Sequence, residues 1–149
     1  MNKGMNEAKA VIEALRLSPH PEGGWYRETW RAAAEGGERA CATAIHFLLE
    51  AHQRSHWHRV DAAEIWLWHA GDPLLLSLAT DDEGPVREMQ LGPDVLDGDV
   101  PQYVIAPGEW QAAAPLPGQN GYTLVSCVVA PAFQFEGFEL APEGWRPGK

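Results

Sequence analysis

A chain of 149 residues, 45% of them apolar, is long enough to bury the core of one domain without disulfide or metal staples, and one domain spanning 1–149 is expected. Its formal net charge of −10, with no clustered Lys or Arg face, speaks against nucleic acid as a partner. Cys41 and Cys127 stand far apart and outside any CxxC arrangement, which argues against a disulfide framework or a cysteine zinc site and favours a reducing cytoplasm. The opening segment lacks the apolar core of a signal peptide, and no apolar run approaches the ~20 residues that span a bilayer, so a soluble chain with no membrane partner is expected.

In chain order, Ala8, Val11, Ile12 and Leu15 fall at helical spacing between Asn6 and Leu17, with Asn6 suited to the N-cap and Pro19 ending the run. One short N-terminal helix is expected there. Beyond it, stretches rich in β-branched and aromatic residues alternate with Gly, Pro and Asp punctuation, the pattern of an all-β sandwich or barrel. The expected strands are Gly24 to Trp30, Ala42 to Leu49, Ser55 to His58, Glu64 to Ala70, Pro73 to Ala79, Val86 to Leu91, Gln102 to Ile105, Trp110 to Ala113, Tyr122 to Val129 and Phe138 to Leu140. The breaks at 34–37, 80–85 and 115–121 read as hairpin connections, because Gly and Asn supply positive φ and Pro fixes a turn. No repeat or low-complexity segment interrupts the pattern.

The chemistry concentrates in Ser55-His56-Trp57-His58-Arg59, followed by Glu64. On a regular strand, residues two apart share a face, so His56 and His58 would point the same way. Two imidazoles and a carboxylate suit a divalent metal such as Zn, Fe, Mn, Ni or Cu. Without metal, His58 beside Glu64 is a candidate acid–base pair, the carboxylate orienting the ring and raising its pKa. Alternation also places Glu64, Trp66 and Trp68 on one face, where the indoles either line a cavity suited to a flat or carbohydrate-like ligand or simply fill the barrel. Tyr26 and Glu28 share a face that Arg27 does not. His20, His46, His52 and His69 read as packing residues, and neither Ser55 nor Cys127 has an identifiable base partner for covalent catalysis.

His56-x-His58 with Glu64 and Gly71 resembles the first motif of the cupin superfamily, and Ala106-Pro107-Gly108-Glu109-Trp110-Gln111 resembles its second. The resemblance implies a jelly-roll barrel, with His56, His58 and Glu64 as metal ligands and Gln111 where the superfamily commonly has a fourth ligand, a His. A longer likeness runs through Leu17-Ser18-Pro19-His20-Pro21-Glu22-Gly23-Gly24-Trp25-Tyr26-Arg27-Glu28-Thr29, Ser55-x-x-His58-Arg59, Glu64-x-Trp66 and the segment 129–139. These resemble a cupin subfamily catalogued as a domain of unknown function, which implies a β-barrel homodimer without a settled reaction. Its constant elements are Ser55, His58, Arg59 and the later Glu64; many relatives carry His where this chain has Leu67.

A small polar ligand in the barrel is therefore expected, contacted by Ser55, Arg59, Trp66, Trp68 and Gln111. The cofactor is either one divalent metal ion or none. Three roles stay open: a metal-dependent enzyme using His56, His58, Glu64 and Gln111; a metal-free epimerase or isomerase of sugar nucleotides, with His58 as base and Tyr26 as acid; and a non-catalytic binding protein. A homodimer joined through edge strands is expected in each.

Overall fold

Strand alternation is read most directly in Leu74–Ala79, where Leu74, Leu76 and Leu78 are buried and Leu75 and Ser77 are only half-buried. Eleven such segments follow one N-terminal helix in the computed structural model, which describes residues 3–149. The helix α1 spans Lys3–Leu15. The strands are β1 (Ser18–Pro19), β2 (Trp25–Arg31), β3 (Thr43–Glu50), β4 (Ser55–Val60), β5 (Ala63–Gly71), β6 (Leu74–Ala79), β7 (Arg87–Leu91), β8 (Gln102–Ile105), β9 (Trp110–Pro115), β10 (Tyr122–Ala130) and β11 (Phe138–Leu140). All ten expected strands are present, and β1 is an additional short one.

The strands form two antiparallel sheets, ordered β1-β2-β3-β10-β5-β8 and β11-β4-β9-β6-β7. This is the all-β jelly roll with a short N-terminal helix that the sequence leads one to expect. Three details differ. The helix begins at Lys3, so Asn6 lies inside it and is not its cap. It closes at Arg16, whose φ of 57° is left-handed, while Leu17 N–H reaches back to the Ile12 carbonyl at 2.9 Å. The segment 115–121 is not a hairpin, because β9 and β10 belong to opposite sheets. Its crossing is held by the buried Asp72 carboxylate, which accepts from the Asn120 and Gly121 backbone N–H groups and from Asn120 Nδ2.

Ala8, Val11, Ile12 and Leu15 lay the helix against Leu48, Leu124 and Tyr122, covering one part of the larger sheet's outer face. Between the sheets, Leu74, Leu76, Leu78, Leu91 and Ile105 pack with Phe47, Trp66 and Cys127. Those last three also belong to the wall of an interior cavity of about 440 Å³. The cavity is where the barrel is not filled by its own side chains.

Candidate active site

Two irregularities in strand pairing decide which side chains enter the cavity. In β4, Ser55 pairs with Ala113 and His58 with Gln111, so three steps on one strand face two on the other. The extra residue breaks the alternation. Ser55 and His58, three apart, both turn inward and are buried, whereas His56 turns outward and places Nε2 3.0 Å from the Pro142 carbonyl. The expectation that His56 and His58 share a face fails for this reason. In β2 the register slips between Glu28 and Trp30, so Tyr26, Glu28 and Arg31 all lie opposite the cavity-facing residues Phe47, Ile45 and Thr43.

The third element is the turn between β1 and β2. His20 N–H bonds to the Gly24 carbonyl at 2.9 Å and Gly23 N–H to the His20 carbonyl at 3.1 Å, and His56 N–H ties the turn to β4 through the Glu22 carbonyl at 3.1 Å. Gly23 has φ +110°, and a Cβ there would sit 2.1 Å from the Arg54 carbonyl oxygen. Only glycine allows this approach. Gly23→Ala is expected to destabilise the fold by about 3 kcal/mol through backbone strain and overlap, read as a lowered melting temperature.

This turn delivers Glu22, which composes the site with residues from β4 and β5. Ser55 Oγ–H donates to Glu22 Oε1. Glu22 Oε2 lies 3.2 Å from His58 Nε2 and 4.0 Å from His20 Nδ1. His58 Nδ1 lies 2.7 Å from the His56 carbonyl, an acceptor only, so Nδ1 carries a hydrogen. His20 Nδ1 accepts the Glu22 backbone N–H at 3.0 Å and is therefore unprotonated. Glu64 enters from β5 and accepts Gln111 Nε2–H at 3.0 Å, and Gln111 Oε1 accepts Trp66 Nε1–H at 2.9 Å.

Burial controls the proton positions. Desolvation pushes the Glu22 carboxyl up to about 8, against the opposing hydrogen bond from Ser55. Glu64 is pushed up to about 7, again by burial, with His58 pulling it back and Glu22 adding to the rise. His58 is lowered by burial, which outweighs the pull of Glu64, and His20 falls to about 4 through burial and the proximity of His58. The expected elevation of His58 by a carboxylate is thus reversed by desolvation. These directions keep Glu22 protonated at neutral pH, its O–H donating a hydrogen bond to a neutral His58 Nε2, with Glu64 near its titration point.

Tyr26 and Trp66 stand in the cavity wall with His58 and Glu64. Other expected site residues do not. Trp68 directs Nε1 to the Asp72 carbonyl and packs in the core. Arg59 pairs with Glu139 at 2.8 Å and lies over the Trp110 ring at 4.5 Å, outside the cavity wall. Ser55 lies behind Glu22, reaching the site through it, and Gln111 holds Trp66 and Glu64 together.

The four residues read as metal ligands do not fit one ion. His56 is turned away, and both amide atoms of Gln111 are engaged. Among the described residues no group of three His, Cys, Asp or Glu side chains has ligating geometry, and every buried side-chain polar atom has a partner.

Sequence reasoning missed His20 and Glu22 as site residues, and missed the segment from Phe133 to Phe138 that closes one side of the cavity. The signal was present in the His-Pro-Glu-Gly-Gly run: two consecutive glycines mark a turn pressed against other backbone, and a buried turn brings its polar side chains inside.

Residues 9–141 match the family described as Cupin superfamily (DUF985). An uncharacterized protein of Saccharomyces cerevisiae, YML079W, is 29% identical over 85% of this chain and 71% of its own length. Among solved structures, a hypothetical protein from Leishmania major superposes with a TM-score of 0.83 at 35% identity, covering 93% of this chain and 89% of that one. Protein SO0799 from Shewanella oneidensis gives a TM-score of 0.82 at 38% identity over 90% of this chain and 84% of its own. A variant of oxalate decarboxylase from Bacillus subtilis shares the fold alone, with a TM-score of 0.60 at 12% identity over 82% of this chain and 29% of that one. The chain belongs to the cupin superfamily, within the family known as DUF985.

Proposed function

We propose that the protein is an enzyme that moves protons on a small polar molecule held in the barrel, with Glu64 as base and the Glu22–His58 pair as acid. The carrying observation is the 3.2 Å contact of His58 Nε2 with Glu22 Oε2 inside a cavity of about 440 Å³. That volume is within the usual range for small-molecule sites, roughly 300–1,000 Å³. Carboxyl groups brought near neutrality by burial are suited to give and take protons at the working pH.

In the simplest cycle the Glu64 carboxylate removes a proton from a carbon next to a carbonyl, and Glu22 gives its proton to the carbonyl oxygen. The products are an enol, a protonated Glu64 and a Glu22 carboxylate facing His58. Where the first carbon carries a hydroxyl the enol is an enediol: Glu64 returns its proton to the former carbonyl carbon while Glu22 takes the proton of the other hydroxyl, which completes an isomerisation and restores both groups. Tyr26, in the same wall, orients polar groups of the ligand. The test is incubation of the full chain in D₂O with pools of hydroxyketones, sugars and related carbonyl compounds, followed by mass spectrometry. Deuterium gained at carbon with native but not heat-denatured protein is expected; no incorporation across these carbonyl classes contradicts the proposal.

We further propose a homodimer. The larger sheet's edges are only two and four residues long, in β1 and β8, and offer little for edge pairing. Its outer face instead presents Trp30, 52% exposed, and Val104, 56% exposed, beside half-buried Ile65, Leu67 and Val128. Light scattering is expected to give twice the chain mass of 16.4 kDa, and Val104→Asp to shift the protein toward monomer. A wild-type monomer would contradict this.

A further inference from the structure

The charges around the cavity are unbalanced in a way that bears on its occupant. Four carboxylic side chains line it: Glu64, which is buried, Glu22, whose side chain is only 7% exposed, and the exposed Glu28 and Glu136. The only Lys or Arg among the described lining residues is Arg31, and its charge is paired with Glu28. Nε and one terminal nitrogen donate to the two oxygens of Glu28, at 3.2 and 2.7 Å, and that terminal nitrogen also reaches the Phe133 carbonyl at 3.1 Å. Arg39, which feels Glu136 electrostatically, is held by both oxygens of Asp61 and by the Ala132 carbonyl. His20 accepts a backbone N–H and is neutral. Among the described residues both arginines are thus paired with carboxylates, whereas Glu64 and Glu136 form no salt bridge with Lys or Arg and remain to receive a cation.

A second observation is independent of charge. Phe133, Phe135 and Phe138 form a cluster with ring centroids 5.0 to 6.2 Å apart along one side of the cavity. Phe135 is 56% exposed although it belongs to this wall, so a large apolar face waits at the cavity for something to cover it. Tyr26, Phe47 and Trp66 supply further rings. Aromatic faces together with carboxylates are the chemistry that recognises ammonium groups.

From this we infer that the cavity selects small molecules bearing an organic ammonium group on a compact apolar body, over anions of the same shape. The inference rests on the reading of the cavity as a small-molecule site and names its ligand class. It places sugar nucleotides, with their anionic diphosphate, among the disfavoured ligands. A bound cation also favours the ionised form of Glu64, so binding at neutral pH releases protons.

Calorimetry of the full chain with three shape-matched probes, 2-phenylethylamine, 3-phenylpropionate and 2-phenylethanol, tests this at pH 7 in buffers of different ionisation heat. The expected result is amine affinity at least tenfold above that of the carboxylate, with net proton release. Glu28→Gln leaves Arg31 without its carboxylate and is expected to narrow the ratio at least threefold. Carboxylate or alcohol binding as tight as the amine would overturn the inference, as would no binding of any probe at millimolar concentration. The readout involves no turnover: a preserved preference without deuterium exchange fails the catalytic proposal alone, and exchange without the preference fails this inference alone.

Discussion

Glu22→Gln is expected to lower deuterium exchange at least 100-fold while leaving the fold intact. The amide keeps both contacts of the protonated acid: its oxygen accepts Ser55 Oγ–H, and its N–H₂ donates to His58 Nε2. What it lacks is a transferable proton, and loss of one positioned acid or base typically costs about 10²–10⁴ in rate. Glu64→Gln is expected to give a loss of the same order by removing the base. Wild-type activity should follow a bell-shaped pH profile with limbs near the Glu64 and Glu22 values, about 7 and about 8, belonging to the coupled pair. The comparison of exchange rates, with circular dichroism to verify folding, checks both variants; near-native turnover in Glu22→Gln would remove it from the mechanism.

The same buried carboxyls should make the protein lose stability as the solution becomes alkaline. Their folded values, about 8 for Glu22 and about 7 for Glu64, lie above the value of 4.5 in the unfolded chain. From about pH 4.5 to 8 the folded protein therefore holds protons that the unfolded chain has released, and stability falls as pH rises. The histidines work in the opposite direction. His20 drops from 6.5 to about 4 and His58 is lowered too, so below pH 6.5 the unfolded chain takes up protons that the folded one refuses, and stability falls toward acid. The two slopes oppose each other between about pH 4.5 and 6.5, where melting temperature should peak. Between pH 6.5 and 9 the glutamates dominate, at a combined cost of about 3 kcal/mol, or about 10 °C in a chain of this size, and near pH 9 the buried Cys127 thiol, held well above its usual 9.0 by desolvation, begins to act in the same direction. Thermal denaturation across this range tests the expectation, and Glu22→Gln should recover more than half of the alkaline loss. A flat wild-type profile up to pH 9 would mean that both carboxyls are ionised in the folded state. Losing activity and gaining alkaline stability in one substitution is the mark of a group kept protonated for function.

Much of the fold was legible because β-strands declare themselves by alternation and punctuation: Leu74, Leu76 and Leu78 on one side and the Asp-Asp-Glu-Gly-Pro break after Thr80 need no tertiary information. The site was only half legible. His58 and Glu64 were found by spacing, and Trp66 by strand alternation from Glu64. His56 was misplaced because spacing assumes a regular strand, and the bulge between Ser55 and His58 exists only through pairing with β9. Glu22 was missed as a site residue because the Gly-Gly run marks a tightly packed turn but not the element it packs against, here the start of β4 beside Arg54. Gln111 was read as a ligand from its place in a motif, whereas its amide spans Trp66 on the same strand as Glu64 and Glu64 itself. The direction of the His58 shift could not be read either, since it depends on burial and not on which residues are neighbours.

The central claim is that Glu22 holds a proton at neutral pH beside a neutral His58, with Glu64 poised to ionise. The most direct measurement is a ¹³C NMR titration of the glutamate side-chain carboxyls in the full chain, with Glu22→Gln and Glu64→Gln providing the assignments. Two carboxyls titrating near 7 and 8, each affected by loss of the other, is the predicted result. If every glutamate has completed its titration below pH 6, the pocket holds two carboxylates at neutral pH and the acid assigned to Glu22 is not there.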